Sequence, residues 1–514
     1  MNENNDIRDA VSTNVIVSIL TNVFYLFTRL FIPPFILSYV PLNEYGLWSY
    51  CFILISYLGM SVFGVTNVYV RYVAIYYANG EMDKINRLVS TGLITITLLC
   101  VFFLPILWWG LPWIIGLFKI GDALHSMAFI LFFGTAVVFM IDLTLGTYGN
   151  LLHSLQRIDA ERYVWTASYL VETLLIVIFL MNGMGIYGLL AAYFVRIFLA
   201  ILLYAIIVHR LLPQLSISFR NFDRSMLKLF YHFGGIVQLS GILGVVNRSI
   251  EKIFSGLFLS MKATGLYEVG LKFPIMTLMI PGSVNAVFLP ATAHYHAKEQ
   301  RGEIMKVFLK GSRFINIITG MMMGFFAAFS GPLIGCWLGP DPQYQAAVGI
   351  LAIFTVAYQM DVLTGPASAI YRSIEQPVKE LWYGLSQFVF VIAAAAYVFT
   401  VYGASIMTIN ITVVSMMVLS AAGYLVFSAL FLQVSLWEYF KQVIVPGFLP
   451  YLFAFALAYA TQAYAQGSRW DLLYYLIVCL LLHTAIAGGV VWFLLCDQEE
   501  RRQMIAMVKR RREG

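Results

Sequence analysis

The sequence predicts an all-α polytopic membrane protein of about fourteen transmembrane helices, built as two pseudo-symmetric six-helix lobes followed by two C-terminal helices. Three observations carry that expectation. Hydrophobic residues make up 61% of the 514 positions and charged ones only 11%, with a mean hydropathy of +0.82, a composition solvated mainly by lipid. Apolar runs long enough to cross about 30 Å of hydrocarbon follow one another with short polar gaps. A shift of 219 residues superimposes the first half of the chain on the second without a gap.

In chain order the candidate spans are 12-39, 47-76, 89-117, 125-152, 162-182, 186-209, 227-258, 264-294, 305-329, 343-371, 378-401, 405-432, 444-463 and 470-496. The opening run Met1 to Ala10 lacks the basic segment and small-residue cleavage site of a signal peptide, so the first span is expected to stay as an anchor. With the N-terminus inside, the inner loops hold 23 Lys and Arg, and the outer loops hold only Lys119, Lys262 and Arg469. Cytoplasmic loops carry such an excess, so both termini are predicted to be cytoplasmic. The net charge of +6 is thereby a matter of topology and calls for no nucleic-acid partner. The five cysteines lie in or beside spans at no metal-like or redox-like spacing and read as packing residues. His294 and His296 have no further ligands nearby, so no metal site is expected, and no cofactor.

Under the 219-residue shift Arg29 falls on Arg248, Gly46-Leu47 on Gly265-Leu266, Asp142 on Asp361, Gly146 on Gly365, Ser154 on Ser373 and Glu161 on Glu380. Six spans separate the copies, so both have one orientation and are related by an axis along the membrane normal. The expected domains are a six-helix lobe over 1-209, a cytoplasmic linker over 210-226, a second six-helix lobe over 227-432, helices 13 and 14 over 433-496 and a basic cytoplasmic tail over 497-514. That tail suits anionic inner-leaflet lipid.

Six cations, Arg29, Arg71, Arg196, Arg248, Lys252 and Lys272, fall inside apolar spans. A charge at the bilayer centre costs roughly 3 kcal/mol on insertion scales, so each needs a partner, a wet cavity or an anionic ligand. Glu172 and Arg196 each sit about ten residues into adjacent antiparallel helices and can meet as a structural pair. Arg71, near an inner helix end, either snorkels to the headgroups or lies at a cavity entrance. Asp142 and Asp361 suit proton or cation coupling, as does Glu251, or else they accept hydrogen bonds that hold each lobe together. Helical spacing puts Arg248, Glu251 and Lys252 on one face, and Glu268 stands at i-4 from Lys272. Gly320 to Gly324 and Gly331 to Gly335 match the small-residue spacing of close helix packing. Trp108, Trp109 and Trp113 read as an interfacial belt.

The stretch Glu44-Tyr45-Gly46-Leu47-Trp48, followed by Arg71-Tyr72-Val73-Ala74, resembles the start of the polysaccharide transporter family of oligosaccharide flippases. That family belongs to the multidrug, oligosaccharidyl-lipid and polysaccharide exporter superfamily. Ala263-Thr264-Gly265-Leu266-Tyr267, with Pro281 and Pro290, is similar to its second-lobe signature. The resemblance implies two bundles around a central cavity and a substrate of the polyprenyl-diphosphate oligosaccharide type, moved from the cytoplasmic to the outer leaflet of a bacterial or archaeal plasma membrane. It also implies a lipid-tail groove at helices 13 and 14, and a polysaccharide polymerase and a chain-length regulator as partners. Many relatives carry an aspartate on the seventh helix where this chain has Arg248, Glu251 and Lys252, so a role tied to that aspartate does not transfer.

A lipid diphosphate crossing a low-dielectric region suits arginines, which fork onto phosphate oxygens. Arg29 and Arg248 are therefore the expected diphosphate ligands, assisted by Lys252 and Lys272. Pro33 cannot donate to the carbonyl of Arg29, which predicts a kink there. Three alternatives stand beside this reading: a peptidoglycan-precursor flippase, a cation-coupled multidrug exporter, and a membrane glycosyltransferase or polymerase. The exporter would favour an acidic cavity, and an enzyme would need a longer loop than the roughly twenty residues available. The chain is thus expected not to be an enzyme.

Overall fold

The computed structural model describes residues 21, 24–26, 28–60, 63–232, 235–278, 288, 292–495, 498 and 501. All regular structure among them is helical. The expectations for Met1 to Ala10, Cys496, Pro281, Pro290 and most of the basic tail lie outside the described residues. The chain separates into two compact units, Met1–Gly265 and Leu266–Gly514. This division groups the seventh segment with the first six, whereas the lobes read from the repeat begin a new half at 227.

In unit 1 the helices are α1 (Phe24–Tyr39), α2 (Leu42–Met60), α3 (Phe63–Ala78), α4 (Met82–Leu117), α5 (His125–Leu145), α6 (Thr147–Ser154), α7 (Ile158–Met181), α8 (Gly185–Leu211), α9 (Leu227–His232), α10 (Gly235–Asn247), α11 (Ile250–Phe254) and α12 (Met261–Gly270), whose last residues pass into unit 2. Unit 2 continues with α13 (Lys272–Met276), α14 (Arg301–Ala328), α15 (Ser330–Leu338), α16 (Gln345–Leu363), α17 (Gly365–Ser373), α18 (Val378–Tyr402), α19 (Ile406–Phe431), α20 (Leu436–Tyr439), α21 (Val445–Thr461) and α22 (Arg469–Val490). Among the described residues nine helices are long and apolar enough to cross a membrane, or ten if α14 and α15, bent by 73°, form one span. The expected spans 12-39, 47-76, 227-258, 264-294 and 470-496 each include residues outside the described set.

The repeat is visible in the backbone of each unit. α4 and α14 begin 219 positions apart, and breaks at Gly146 and at Thr364, within one position of the same register, split α5 from α6 and α16 from α17 alike. Left-handed residues recur in register, Gln156 with Glu375 and Gly80 with Glu299. Each unit builds a core that includes three corresponding helices: Leu88, Leu151 and Val208 of α4, α6 and α8 in one, Phe308, Ile370 and Leu425 of α14, α17 and α19 in the other.

At 36 residues α4 is about 54 Å long, well beyond the hydrocarbon thickness. One face of its first turns is buried and holds the linker. Asn86 donates to the Gln214 carbonyl at 3.2 Å and accepts from the Ser216 amide at 2.9 Å. Ser90 donates to Ser216 and accepts from the Ser218 amide, and Thr91 accepts from the Asp223 amide at 2.9 Å. The segment read as a linker is therefore strapped along α4. The rest of α4 presents large apolar side chains outward, Trp109 and Trp113 among them.

Candidate functional site

The site begins where α1 and α7 run side by side in parallel. Thr21 lies 3.1 Å from Thr166, and the Tyr25 ring packs on those of Trp165 and Tyr169 at 5.4 and 5.3 Å. These contacts fix a register in which each α1 residue faces one about 144 positions later. One turn beyond Tyr25, Arg29 lies at the level of Glu172, one turn beyond Tyr169. Arg29 stands 5.0 Å above the Tyr25 ring, is exposed, and acts electrostatically on the Glu172 carboxylate. α1 continues as a helix through Pro33 and Pro34.

Glu172 is shared. From α8, Arg196 places Nε 3.3 Å from Glu172 Oε2, with its guanidinium 5.2 Å from the Tyr193 ring and 5.9 Å from that of Tyr169. Arg196 also acts on Asp142 of α5. Two carboxylates and two guanidiniums, from α1, α5, α7 and α8, thus form a charge-balanced group sheltered by tyrosines. The pairing with Arg196 keeps the largely buried Glu172 carboxylate in a low-dielectric interior at tolerable cost. Beside it, α5 and α8 line a cavity of about 520 Å³ with Phe133, Val137, Tyr187, Leu190 and Phe194, which takes in none of the four charges.

Arg248 differs from the continuous-helix expectation. The backbone turns at Arg248 and Ser249 between α10 and α11, so Arg248 is exposed at a helix break, while Glu251 and Lys252 are buried in α11. The i, i+3, i+4 face predicted for these three is interrupted at its first member. In unit 2 Lys272 Nζ donates to Glu268 Oε1 at 2.6 Å, with both side chains largely buried.

Asp361 accepts a hydrogen bond of 3.0 Å from the Tyr383 hydroxyl, which ties α16 to α18. Its repeat partner Asp142 faces Arg196 instead, because Tyr383 corresponds to Val164, and Arg196 to Ser415. Arg71 is exposed on α3, 5.6 Å from the Tyr72 ring. The tyrosines that shelter the charges, Tyr25, Tyr169, Tyr193 and Tyr383, do not stand out in the sequence. In an apolar chain with 31 tyrosines only the register between helices singles them out.

Residues 135–348 match the family model described as polysaccharide biosynthesis protein. The uncharacterized membrane protein EpsK of Bacillus subtilis (strain 168) is 20% identical over 317 residues, 62% of this chain and 63% of that protein. The chain thus spans somewhat under two thirds of this relative's length. Among solved structures, lipid II flippase MurJ in an inward closed conformation aligns with a TM-score of 0.67 at 13% identity, covering 93% of this chain and 98% of that one. An inward-facing multidrug resistance MATE family transporter aligns with a TM-score of 0.60 at 14% identity, over 82% and 98%.

The fold is that of lipid II flippase MurJ and of the MATE family transporter, and the run of apolar helices long enough to cross a membrane makes the chain a multi-pass membrane protein.

Proposed function

We propose that this protein is a flippase that moves a polyprenyl-diphosphate-linked oligosaccharide from the cytoplasmic to the outer leaflet of a plasma membrane, for surface polysaccharide synthesis, by alternating access. Arg29 and Arg248 bind the diphosphate, assisted by Lys252, with Lys272 as an accessory cation in unit 2. The observation that carries this reading is the matched pair: two exposed arginines at equivalent repeat positions, one on α1 and one at the break after α10, in a chain where intramembrane charge is costly. Arginine offers phosphate a bidentate fork of donors. The polysaccharide-biosynthesis match supports the sugar-bearing substrate. Both termini are assigned to the cytoplasm from the loop charges, and a polymerase and a chain-length regulator are the expected partners.

The test is translocation by protein reconstituted in vesicles, with Arg29→Ala and Arg248→Ala variants of normal membrane abundance. Each is expected to lose at least tenfold in rate, and full activity in both would overturn the assignment. The likeness to lipid II flippase MurJ favours one second reading, a peptidoglycan-precursor substrate. Offering both lipid diphosphates to the same vesicles separates the two.

A further inference from the structure

Glu172 is placed to do more than neutralise Arg196. We propose that Glu172 is a competing counter-ion for Arg29: it holds the guanidinium while no substrate is bound, and gives it up to the incoming diphosphate. The inference rests on the reading of Arg29 as a diphosphate ligand and adds to it a residue that sets affinity and release.

The register supplies the geometry. The contacts of Thr21 with Thr166 and of Tyr25 with Trp165 and Tyr169 run along one face of each helix, and the next turn brings Arg29 level with Glu172. Tyr25 lies under the Arg29 guanidinium, and a planar guanidinium can stack on a ring while its in-plane donors bond a carboxylate or a phosphate. Glu172 has a second cation, Arg196 at 3.3 Å, so it stays compensated when Arg29 turns to another anion. Arg196 in turn keeps Asp142. Without that second pairing, release of Arg29 would strand a buried carboxylate, and an uncompensated internal charge is strongly destabilising. The acid belongs to this arginine only, since the position equivalent to Glu172 in the repeat is Val391 and Arg248 is accompanied by Glu251 instead. A diphosphate offers more negative charge than one carboxylate and outcompetes it. In the other direction, Glu172 lowers the barrier to leaving, because Arg29 never has to stand alone.

Binding of inorganic pyrophosphate and of a polyprenyl diphosphate to the full chain in nanodiscs tests the exchange. In Glu172→Gln the competitor is gone, and both ligands are expected to bind about five- to tenfold more tightly, with slower release of the lipid. Glu172→Asp keeps the charge but withdraws it by one methylene, so an intermediate tightening is expected, which covers the case of a Gln variant that fails to fold. Unchanged or weakened binding in a folded Glu172 variant overturns the counter-ion role. Arg29→Ala separates this failure from that of the underlying reading. If Arg29→Ala binds both ligands like the natural sequence, Arg29 is not a diphosphate ligand and both proposals fall. If it loses binding while Glu172→Gln does not tighten, only the exchange fails.

Discussion

Asp142 and Asp361 occupy one position of the repeat and meet opposite surroundings, an arginine from α8 in unit 1 and a tyrosine hydroxyl from α18 in unit 2. A hydrogen bond to a carboxylate contributes on the order of 1.5–3 kcal/mol when both groups are withdrawn from water. Tyr383→Phe is therefore expected to lower the unfolding free energy of the protein in detergent by about that amount. A double-mutant cycle with Asp361→Asn should show coupling of at least about 1 kcal/mol, and simple additivity would refute the pairing. Depth in the membrane is enough to read Glu172 against Arg196 from the sequence, because each lies about ten residues into neighbouring antiparallel helices. The spacing of Glu268 and Lys272 is legible for a similar reason, as both lie on one helical face. The neighbourhood of Arg29 and Glu172 is not legible, since α1 and α7 are distant in sequence and their register is set by aromatic packing. Nor is the break at Arg248, where Asn247, Arg248 and Ser249 include neither proline nor glycine.

At the scale of elements, α21 is joined to α14 by a contact that only glycine permits. A Cβ on Gly320 would run into the Gly447 carbonyl, one on Gly447 into the Asn316 amide, and one on Gly324 would lie 3.0 Å from the Tyr451 backbone. Around it, Asn316 donates to the Val443 carbonyl at 2.8 Å, and Gln359 donates to Asn316 Oδ1 at 2.8 Å and to the Gly447 carbonyl at 3.0 Å. Both side chains are fully buried. The Val443 carbonyl is available because Phe440–Ile444 forms a π turn, which releases it from the regular ladder. Of the two glycine pairs read as packing sites, Gly320 with Gly324 makes such a contact. At Gly331, by contrast, an added methyl would meet nothing within 4 Å, and at Gly335 it would approach only Leu472. Overpacking costs typically about 1–3 kcal/mol, while Ala in place of an unhindered helical Gly gains roughly 0.5–1. Gly320→Ala is thus expected to depress the melting temperature and Gly331→Ala to leave it unchanged or raise it; equal effects would contradict the weld. The same logic explains Gly46 and Gly265, the centres of the two short motifs. A Cβ on either would strike the backbone of the other's helix, at Met261 and at Leu42.

Over the whole chain, the 219-residue repeat governs backbone more strictly than side chains. Few identities survive the shift, yet helix starts, the breaks at Gly146 and Thr364 and the left-handed turns at Gln156 and Glu375 all recur to within a residue or two. The proposed orientation rests on the asymmetry of 23 basic residues against 3 and on the rule that retains Lys and Arg in the cytoplasm. That assignment puts the turns after α3 and before α14 inside, and the turns after α7 and α18 outside. Single cysteines test it in a background without the native five. Asn182→Cys and Tyr402→Cys, at the outer turns, should react in intact cells with a membrane-impermeant maleimide. Lys84→Cys and Lys306→Cys, which are well exposed at the other ends, should react only after the membrane is opened. The reverse pattern would invert the chain and overturn the proposed direction of transport. A mixed pattern would break the repeat itself, since copies separated by six spans must share one orientation.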